Sequence, residues 1–199
     1  VNSINWARIL AQIVYYFYSS LQVRKKIEKE TGKKTGVVFS VPTGNFGDVL
    51  AGYYAQKMCA SMEPGKSPIK KLIVASNTND ILTRYASHCQ NIHFKPSPFV
   101  LRFSLLTCRF LKTGVYQKTG VTQTMSPSMD IEVSSNFERF LYDVFGGSNG
   151  GAEITQSKFT SLKETGQFCV NAEELKVCRK FFDAYSYRFS HPIFAQCFS

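Results

Sequence analysis

The segment SVPTGNFGDVLAGYYAQKM, residues 40–58, constrains the fold more than any other part of the sequence. A short apolar run ends in a proline and a glycine-rich turn, and an amphipathic pattern begins at once. A strand that enters a helix through such a turn exposes backbone N–H groups at the helix N-terminus, where the helix dipole favours an anion. Gly44 and Gly47 allow close approach of the backbone, Asn45 adds an amide donor, and Asp48 is predicted to cap the helix. The segment predicts either a phosphate cradle or a plain turn that needs glycine.

Apolar periodicity on both sides of this turn predicts an α/β fold. Strands are predicted over residues 37–41 and 71–75, and helices over 5–30 and 48–58. A third helix is predicted over 79–84, with Asn77 or Asn79 as its N-cap. Continuous apolar strands that alternate with helices indicate a parallel sheet covered by helices on both faces.

Three further helices are predicted in the second half of the chain. They cover residues 137–145, capped from Ser134-Ser135-Asn136, then 153–165, ending at Gly166, and 171–185, which is also capped. No internal repeat accompanies them.

A second polar cluster stands at the start of the chain. Asn2, Ser3, Asn5 and Arg8 lie just before or within the first turns of the first predicted helix. Amide, hydroxyl and guanidinium groups in this arrangement can grip a phosphate. The alternative is an ordinary helix N-cap beside an exposed arginine.

Charge and composition narrow the class of protein. The formal net charge is +10, but the basic residues form scattered pairs without an RNA-binding or zinc-finger signature, which favours solvated faces over a nucleic-acid surface. No apolar run is long enough to span a membrane. The six cysteines form no CxxC pair and the three histidines are scattered, so we expect no metal site and reduced thiols in the cytoplasm.

Together these segments closely resemble the threonine synthases, in the long-form branch of that family. The matching runs are NSINWARILAQIVYYF, SVPTGNFGDVLAGYYAQKM, KLIVASNTNDIL and TGVTQTMSPSMDIEVSSNFERFLYDVF. They cover most of residues 1–84 and 110–146 in the expected order, and the resemblance is weaker over 153–184. It implies a fold type II enzyme that uses pyridoxal 5′-phosphate (PLP) to convert O-phospho-L-homoserine and water into L-threonine and phosphate.

The resemblance also implies roles for particular residues. Gly44, Asn45, Phe46 and Gly47 match the family loop that holds the cofactor phosphate, and Thr43 is expected to join that cradle. Asn2, Ser3 and Arg8 match the family pattern that grips the substrate phosphate, which Asn45 is expected to face as well.

Two departures from the family pattern bear on activity. The Schiff-base lysine of the family lies upstream of the NSIN segment, and no lysine here matches its motif, so no catalytic residue is assigned. The chain, which begins without Met or a signal peptide, therefore resembles an inactive fragment that lacks the N-terminal half. No match is found for the family residue that partners the pyridine nitrogen.

Residues 85–109 interrupt the resemblance. The flanking runs NDILTR and FLKTGVYQK together predict one helix. The ends of the insert can be coded with donor-like and acceptor-like dinucleotides in one codon phase, which favours a translated intron over a genuine surface insertion. We therefore predict a phosphate-binding α/β core over 1–146, interrupted at 85–109, and a helical region with an atypical tail over 147–199.

The alternatives to a threonine synthase are a non-catalytic remnant that binds PLP or a phosphoamino acid, and a related phospholyase.

Overall fold

The computed structural model describes residues 5–62, 67–75, 79, 110, 113–118, 120–147 and 149–185. Within these ranges the chain forms five α-helices and four β-strands. In chain order they are α1 (Trp6–Thr31), β1 (Val37–Pro42), α2 (Gly47–Met62), β2 (Ile69–Ala75), β3 (Val115–Gln117), α3 (Phe137–Val144), α4 (Gly151–Thr165), β4 (Gln167–Cys169) and α5 (Ala172–Tyr185).

The predicted parallel pairing is confirmed. Strands β1 and β2 form a two-stranded parallel sheet in which Phe39 pairs with Leu72 and Val41 with Val74. Helix α2 makes the connection between them, as a parallel pair requires. Burial alternates along β1, so that Val41 faces the core while Val38 is exposed. The α/β class is therefore as predicted.

Helices α1 and α2 pack together beside this sheet. Helix α1 begins at Asn5, whose side chain accepts the N–H of Ala7, and ends at Gly32, which has the left-handed conformation with φ of 69°. The Tyr16 ring packs edge-on against Phe39 of β1, with ring centroids 4.9 Å apart. Gly52 lies under the same ring, which lets the two helices approach closely.

A second sheet corrects the prediction of a helix that runs through residue 118. Strand β3 pairs antiparallel with β4, and Tyr116 lies opposite Phe168. The helical turn ends at Gly114, whose φ is +73° and whose N–H is bound by the carbonyl of Phe110. A residue in this conformation does not continue a helix, and β-branched and aromatic residues follow it.

The other helix ends agree with the predicted ends to within a few residues. Of the predicted caps of α3 and α5, one is confirmed and the other is wrong. Helix α5 has the predicted cap, because Asn171 Oδ1 accepts the N–H of Glu174 and Glu174 Oε2 accepts the N–H of Asn171. Helix α3 lacks the predicted side-chain cap, because the Asn136 side chain does not bind the first turn of this helix but the carbonyl of Asn45.

Asn79 is buried, and its side chain holds the loop at Thr122. Its amide nitrogen donates to the carbonyl of Thr122 at 2.6 Å and its amide oxygen accepts the Thr122 N–H at 2.6 Å. The rest of the helix predicted over 79–84, its alternative cap Asn77 and the insert 85–109 lie outside the described residues.

One apolar cluster includes residues on both sides of position 146, so the predicted division there stays a prediction. In the described part of the chain, no helix is both long and apolar enough to cross a membrane. The cysteines described there, Cys59, Cys169 and Cys178, are free thiols.

We predict that Gly52→Ala destabilises the chain. A Cβ at this position would lie 2.8 Å from two ring atoms of the buried Tyr16 and 3.0 Å from Leu72. Such overpacking costs about 1–3 kcal/mol, whereas alanine gains about 1 kcal/mol over glycine in a helix interior. We expect a net loss of about 1 kcal/mol in the free energy of unfolding, measured by urea denaturation.

Ala60→Gly provides the matched control, because Ala60 is exposed on the same helix. It isolates the intrinsic helix term and should cost about 1 kcal/mol. If Gly52→Ala is instead more stable than the parent chain, the close packing of α1 on α2 is wrong.

Candidate functional site

The turn between β1 and α2 is capped by Asn45. Its Oδ1 accepts the backbone N–H of Gly47 at 2.9 Å, which satisfies a donor at the start of α2. The prediction that Asp48 caps this helix is therefore wrong. Asp48 lies in the first turn of α2 and accepts a hydrogen bond from Tyr16 of α1.

Phe46 fixes the conformation of the turn. Its φ is 65°, and it is the one described residue other than glycine with a positive φ. A left-handed backbone costs a residue with a side chain of order 1–3 kcal/mol. Burial of its ring offsets this cost, because the ring packs edge-on against Phe137 at 5.4 Å and Phe140 at 5.6 Å. The core thus holds the turn in a shape that the turn alone would not favour.

Two backbone carbonyl groups of the turn accept hydrogen bonds from Ser134 and Asn136. Ser134 Oγ donates to the Gly44 carbonyl at 2.6 Å. The Asn45 carbonyl accepts two hydrogen bonds, from the backbone N–H of Asn136 at 3.0 Å and from its side-chain Nδ2 at 3.1 Å. We call this arrangement of Ser134 and Asn136 on the turn the carbonyl clamp.

The clamp leaves the N–H groups of the turn available. Among the residues that the structure describes, none accepts a hydrogen bond from the backbone N–H of Gly44, Asn45 or Phe46, or from the side-chain amide of Asn45. These donors stand at the N-terminus of α2, where the helix dipole adds positive potential. The arrangement suits an anion with several acceptor oxygens, such as a phosphate.

The glycines of the turn lie where there is little space for a side chain. A Cβ on Gly44 would lie 3.3 Å from Met129 Cα, and one on Gly47 would lie 3.1 Å from Asn45 Oδ1 and 3.3 Å from Asn136 Nδ2. A side chain at either position would press on the groups that shape the turn.

Thr43 is buried next to the turn, and its hydroxyl donates to the Val41 carbonyl at 2.8 Å. That hydrogen is therefore engaged with the end of β1. The predicted part of Thr43 in the cradle stays a prediction, and in this conformation its hydroxyl has only lone pairs to offer.

The first turn of α1 lies against the first turn of α2. Ile9 Cδ1 is 3.5 Å from the position that a Gly47 Cβ would occupy, and Arg8 precedes it as an exposed residue. The predicted cradle thus lies next to the first turn of the helix that carries Arg8. Asn2 and Ser3 lie outside the described residues.

The pair Tyr16–Asp48 links the two helices beside the site. Burial raises the pKa of the Asp48 carboxyl, and the hydrogen bond from Tyr16 opposes part of this shift. The pKa of Tyr16 is also raised, first by burial and then by the Asp48 charge. Asp48 therefore carries its negative charge less readily than an aspartate free in water.

Sequence reasoning did not find the carbonyl clamp. Ser134 and Asn136 were assigned only to the cap of the next helix, yet they bind a turn about 90 positions earlier. Asn136 is 1% exposed, and its Oδ1 has no hydrogen-bond partner among the described residues. Hydrophobic periodicity carries no information about such a distant pairing.

The Ser134→Ala substitution tests the clamp. It leaves the Gly44 carbonyl without its partner, and an unsatisfied buried polar group costs about 1–3 kcal/mol. We expect the free energy of unfolding to fall by about 1–2 kcal/mol in urea denaturation. Ser135→Ala is the control, because Ser135 is exposed and should change stability by less than about 0.5 kcal/mol. Equal effects of the two substitutions would contradict the clamp.

A pH prediction follows from Asp48. Since its folded-state pKa lies above the unfolded value of 3.8, the stability linked to its proton is fully present below 3.8 and is lost as pH rises through the folded-state pKa. Asn cannot titrate. The free energy of unfolding of the parent chain minus that of Asp48→Asn should therefore increase from about pH 7 to about pH 4. A difference that stays constant between these two pH values, by urea denaturation, would exclude the raised pKa.

No protein-family model matches the chain, but comparison with known proteins finds relatives that are named threonine synthase. The chain is 41% identical over 189 residues to threonine synthase of Saccharomyces cerevisiae, a match that spans 92% of this chain and 30% of the relative. Threonine synthase of Pseudomonas aeruginosa is 40% identical over 184 residues, with the same two shares. Threonine synthase-like 1 of Mus musculus is 40% identical over 143 residues, 71% of this chain and 15% of that protein.

Solved structures agree with these matches. The crystal structure of PLP-bound threonine synthase from Brucella melitensis has a TM-score of 0.64 and 38% identity, and the match covers 94% of this chain and 30% of that one. Yeast threonine synthase has a TM-score of 0.62 and 36% identity. The chain thus spans about 30% of the length of the relatives it matches.

Proposed function

Because the chain belongs to the threonine synthase family, we propose that it forms the phosphate-binding part of a PLP-dependent threonine synthase that acts on O-phospho-L-homoserine. The observation that carries the proposal is the turn 44–47. The clamp binds the carbonyl groups of Gly44 and Asn45, and no described residue accepts a hydrogen bond from the backbone N–H of Gly44, Asn45 or Phe46. Such a turn, at the start of a helix, fits the phosphate of the cofactor. When bound, PLP supplies the electron sink for the reaction.

Each residue of the cradle has a distinct part in the proposal. Gly44, Asn45 and Phe46 bind the cofactor phosphate through their backbone N–H groups and the Asn45 amide. Gly47, whose own N–H is bound by Asn45 Oδ1, completes the turn, and the Phe46 ring anchors it in the core. Thr43 closes the buried side, through its contact with the Val41 carbonyl.

The substrate phosphate is assigned to the neighbouring helix start. Arg8 supplies a positive charge from the first turn of α1, the turn whose Ile9 side chain lies against Gly47, and Asn2, Ser3 and Asn45 complete the group. A guanidinium group and several amide and hydroxyl donors bind a phosphate dianion strongly. We assign no catalytic residue within this chain, and without the family lysine we propose that the chain alone does not turn over.

The alternative substrate within the same class is another phosphoamino acid. The match to threonine synthase-like 1 supports a second candidate, which is a related phospholyase or a non-catalytic binder. Both would use the same cradle. The proposal includes a small-molecule substrate, no nucleic-acid partner and a cytoplasmic location.

Asn45→Asp tests the cradle. The aspartate keeps an oxygen that can accept the Gly47 N–H, so the cap of α2 is preserved, but it replaces an amide donor by a negative charge. We expect the affinity for pyridoxine 5′-phosphate to fall at least about tenfold, because a like charge within 4 Å costs about 1–4 kcal/mol. The probe has no aldehyde and cannot react with lysines, and binding is measured by isothermal titration calorimetry.

Two comparisons make the result specific. Asn149→Asp adds the same charge at an exposed position and should leave the affinity unchanged. Pyridoxine without its phosphate should bind the parent chain much more weakly. If the parent chain binds the two compounds equally, or if Asn45→Asp has no effect, the phosphate cradle is wrong.

A further inference from the structure

Asp130 holds together a loop that lies next to the phosphate cradle. Its Oδ1 accepts hydrogen bonds from Asn79 Nδ2 at 2.8 Å and from the Thr124 hydroxyl at 2.7 Å, and its Oδ2 accepts the Thr124 N–H at 2.8 Å. Asn79 also binds the N–H and the carbonyl of Thr122. Both ends of the segment 122–130 are therefore tied to Asn79. We call this segment the Asp130 loop.

Hydrogen bonds, more than apolar packing, give the Asp130 loop its shape. None of its residues, all of which the structure describes, is buried, and Met125 at its tip is 89% exposed. Within the loop, the Thr124 hydroxyl accepts the Ser126 N–H at 3.0 Å, and the Asp130 N–H donates to the Pro127 carbonyl at 3.1 Å. An ionised acceptor forms stronger hydrogen bonds than a neutral one. The carboxylate is therefore the group on which the shape of the loop depends most.

The Asp130 loop passes close to the first glycine of the cradle. A Cβ on Gly44 would lie 3.3 Å from Met129 Cα and 3.5 Å from the Ser128 carbonyl oxygen, so the loop leaves little room for the turn to shift towards it. Ser134 of the carbonyl clamp binds the carbonyl of the same glycine. The loop and the clamp therefore meet at Gly44.

The Asp130 loop also connects the carboxyl ends of the two parallel strands. Asn79 follows β2, which ends at Ala75, and Gly44 follows β1, which ends at Pro42. Because β1 and β2 are parallel, these two ends lie at the same edge of the sheet. Open α/β sheets bind their ligands in the crevice outside the carboxyl ends of the strands. The loop thus stands on the side of the sheet where a ligand is expected.

The charge of Asp130 and the geometry that it holds act on a bound phosphate in opposite directions. Met129, which directly precedes Asp130, lies next to Gly44, and a negative charge near the cradle repels a phosphate. A loop that keeps Gly44 in place instead favours binding, because the N–H groups of the turn are then oriented before the phosphate arrives. The sign of the change in affinity on removal of the carboxylate therefore distinguishes the two effects.

We propose that Asp130 is a positioning residue for phosphate binding, because its carboxylate holds the Asp130 loop against Gly44 and so keeps the turn in its anion-binding conformation. Asn79 and Thr124 take part as the donors that the carboxylate binds. The inference rests on the proposed function, since it requires that the cradle binds a phosphate. It adds to the site a residue that belongs neither to the turn nor to the clamp.

Asp130→Asn tests the inference, because it removes the charge and keeps the shape of the side chain. In either orientation, the new amide places its NH₂ group against a donor, which is the Thr124 N–H or the Asn79 amide. We expect the affinity for pyridoxine 5′-phosphate to fall at least about fivefold in isothermal titration calorimetry. Loss of the negative charge by itself would raise this affinity.

Glu132→Gln is the matched control for the charge. Glu132 lies close to Asp130 in the chain, and its Oε1 accepts the Gly120 N–H at 3.1 Å, a bond that the glutamine oxygen can keep. This variant removes the same charge without removing the acceptor. Its affinity for pyridoxine 5′-phosphate should equal or slightly exceed that of the parent chain.

A second pair of variants keeps the charge and changes one donor. Thr124→Val preserves the size of the side chain but removes the hydroxyl that binds Asp130 and Ser126, whereas Thr124→Ser retains that hydroxyl. We expect Thr124→Val to lower the affinity about threefold and Thr124→Ser to restore it. Thr124 is only half-buried, so both variants should show the circular dichroism spectrum of the parent chain. If Asp130→Asn does not fold, this pair decides the question.

The possible results separate this inference from the proposed function. If the parent chain binds pyridoxine 5′-phosphate and pyridoxine equally, the phosphate cradle is wrong and the role of Asp130 is wrong with it. If the parent chain prefers the phosphorylated compound, but folded Asp130→Asn binds it as tightly as the parent or more tightly, only the role of Asp130 is wrong. Equal affinities of Thr124→Val and Thr124→Ser would also contradict that role and would leave the cradle in place.

Discussion

The carbonyl clamp is the interaction on which the rest of the site depends. A glycine-rich turn has few internal constraints, and its peptide groups can point in many directions. Hydrogen bonds from Ser134 and Asn136 fix two of these groups by their carbonyl oxygens, about 90 positions along the chain from the residues they bind. Because a peptide group is rigid, fixing its carbonyl also directs its N–H. The anion-binding character of the turn is therefore a tertiary property.

The clamp is in turn supported by a stack of aromatic rings. The Ser134 N–H donates to the Tyr116 hydroxyl at 3.2 Å, and the Tyr116 ring stacks on Phe137 at 5.3 Å and on Phe168 at 5.0 Å. Phe137 also touches Phe46 of the turn. The short antiparallel sheet therefore contributes more than its own few hydrogen bonds. It carries aromatic rings that support the turn and its clamp.

The local elements could be predicted from the sequence, whereas their long-range partners could not. Apolar periodicity located α1, α2 and both parallel strands, because each buries a face that repeats at a regular interval. It failed at residues 115–117, where a three-residue strand is too short to show a period and the fold of its partner β4 decides the outcome. Asp48 and Asn136 were misassigned for a related reason. Both are residue types that cap helices, but each bonds to a different segment, and that preference is invisible in local sequence.

The cradle and the exposed apolar residues of α1 differ in how they are held. The cradle is shaped by described residues alone, from the end of β1, the start of α2, the clamp and the aromatic stack. Leu10, Val14, Tyr18 and Leu21 of α1 and the edges of the parallel sheet have no such cover among the described residues. The geometry for one anion is therefore set by local and clamp contacts, and it does not depend on how the apolar surface of α1 is covered.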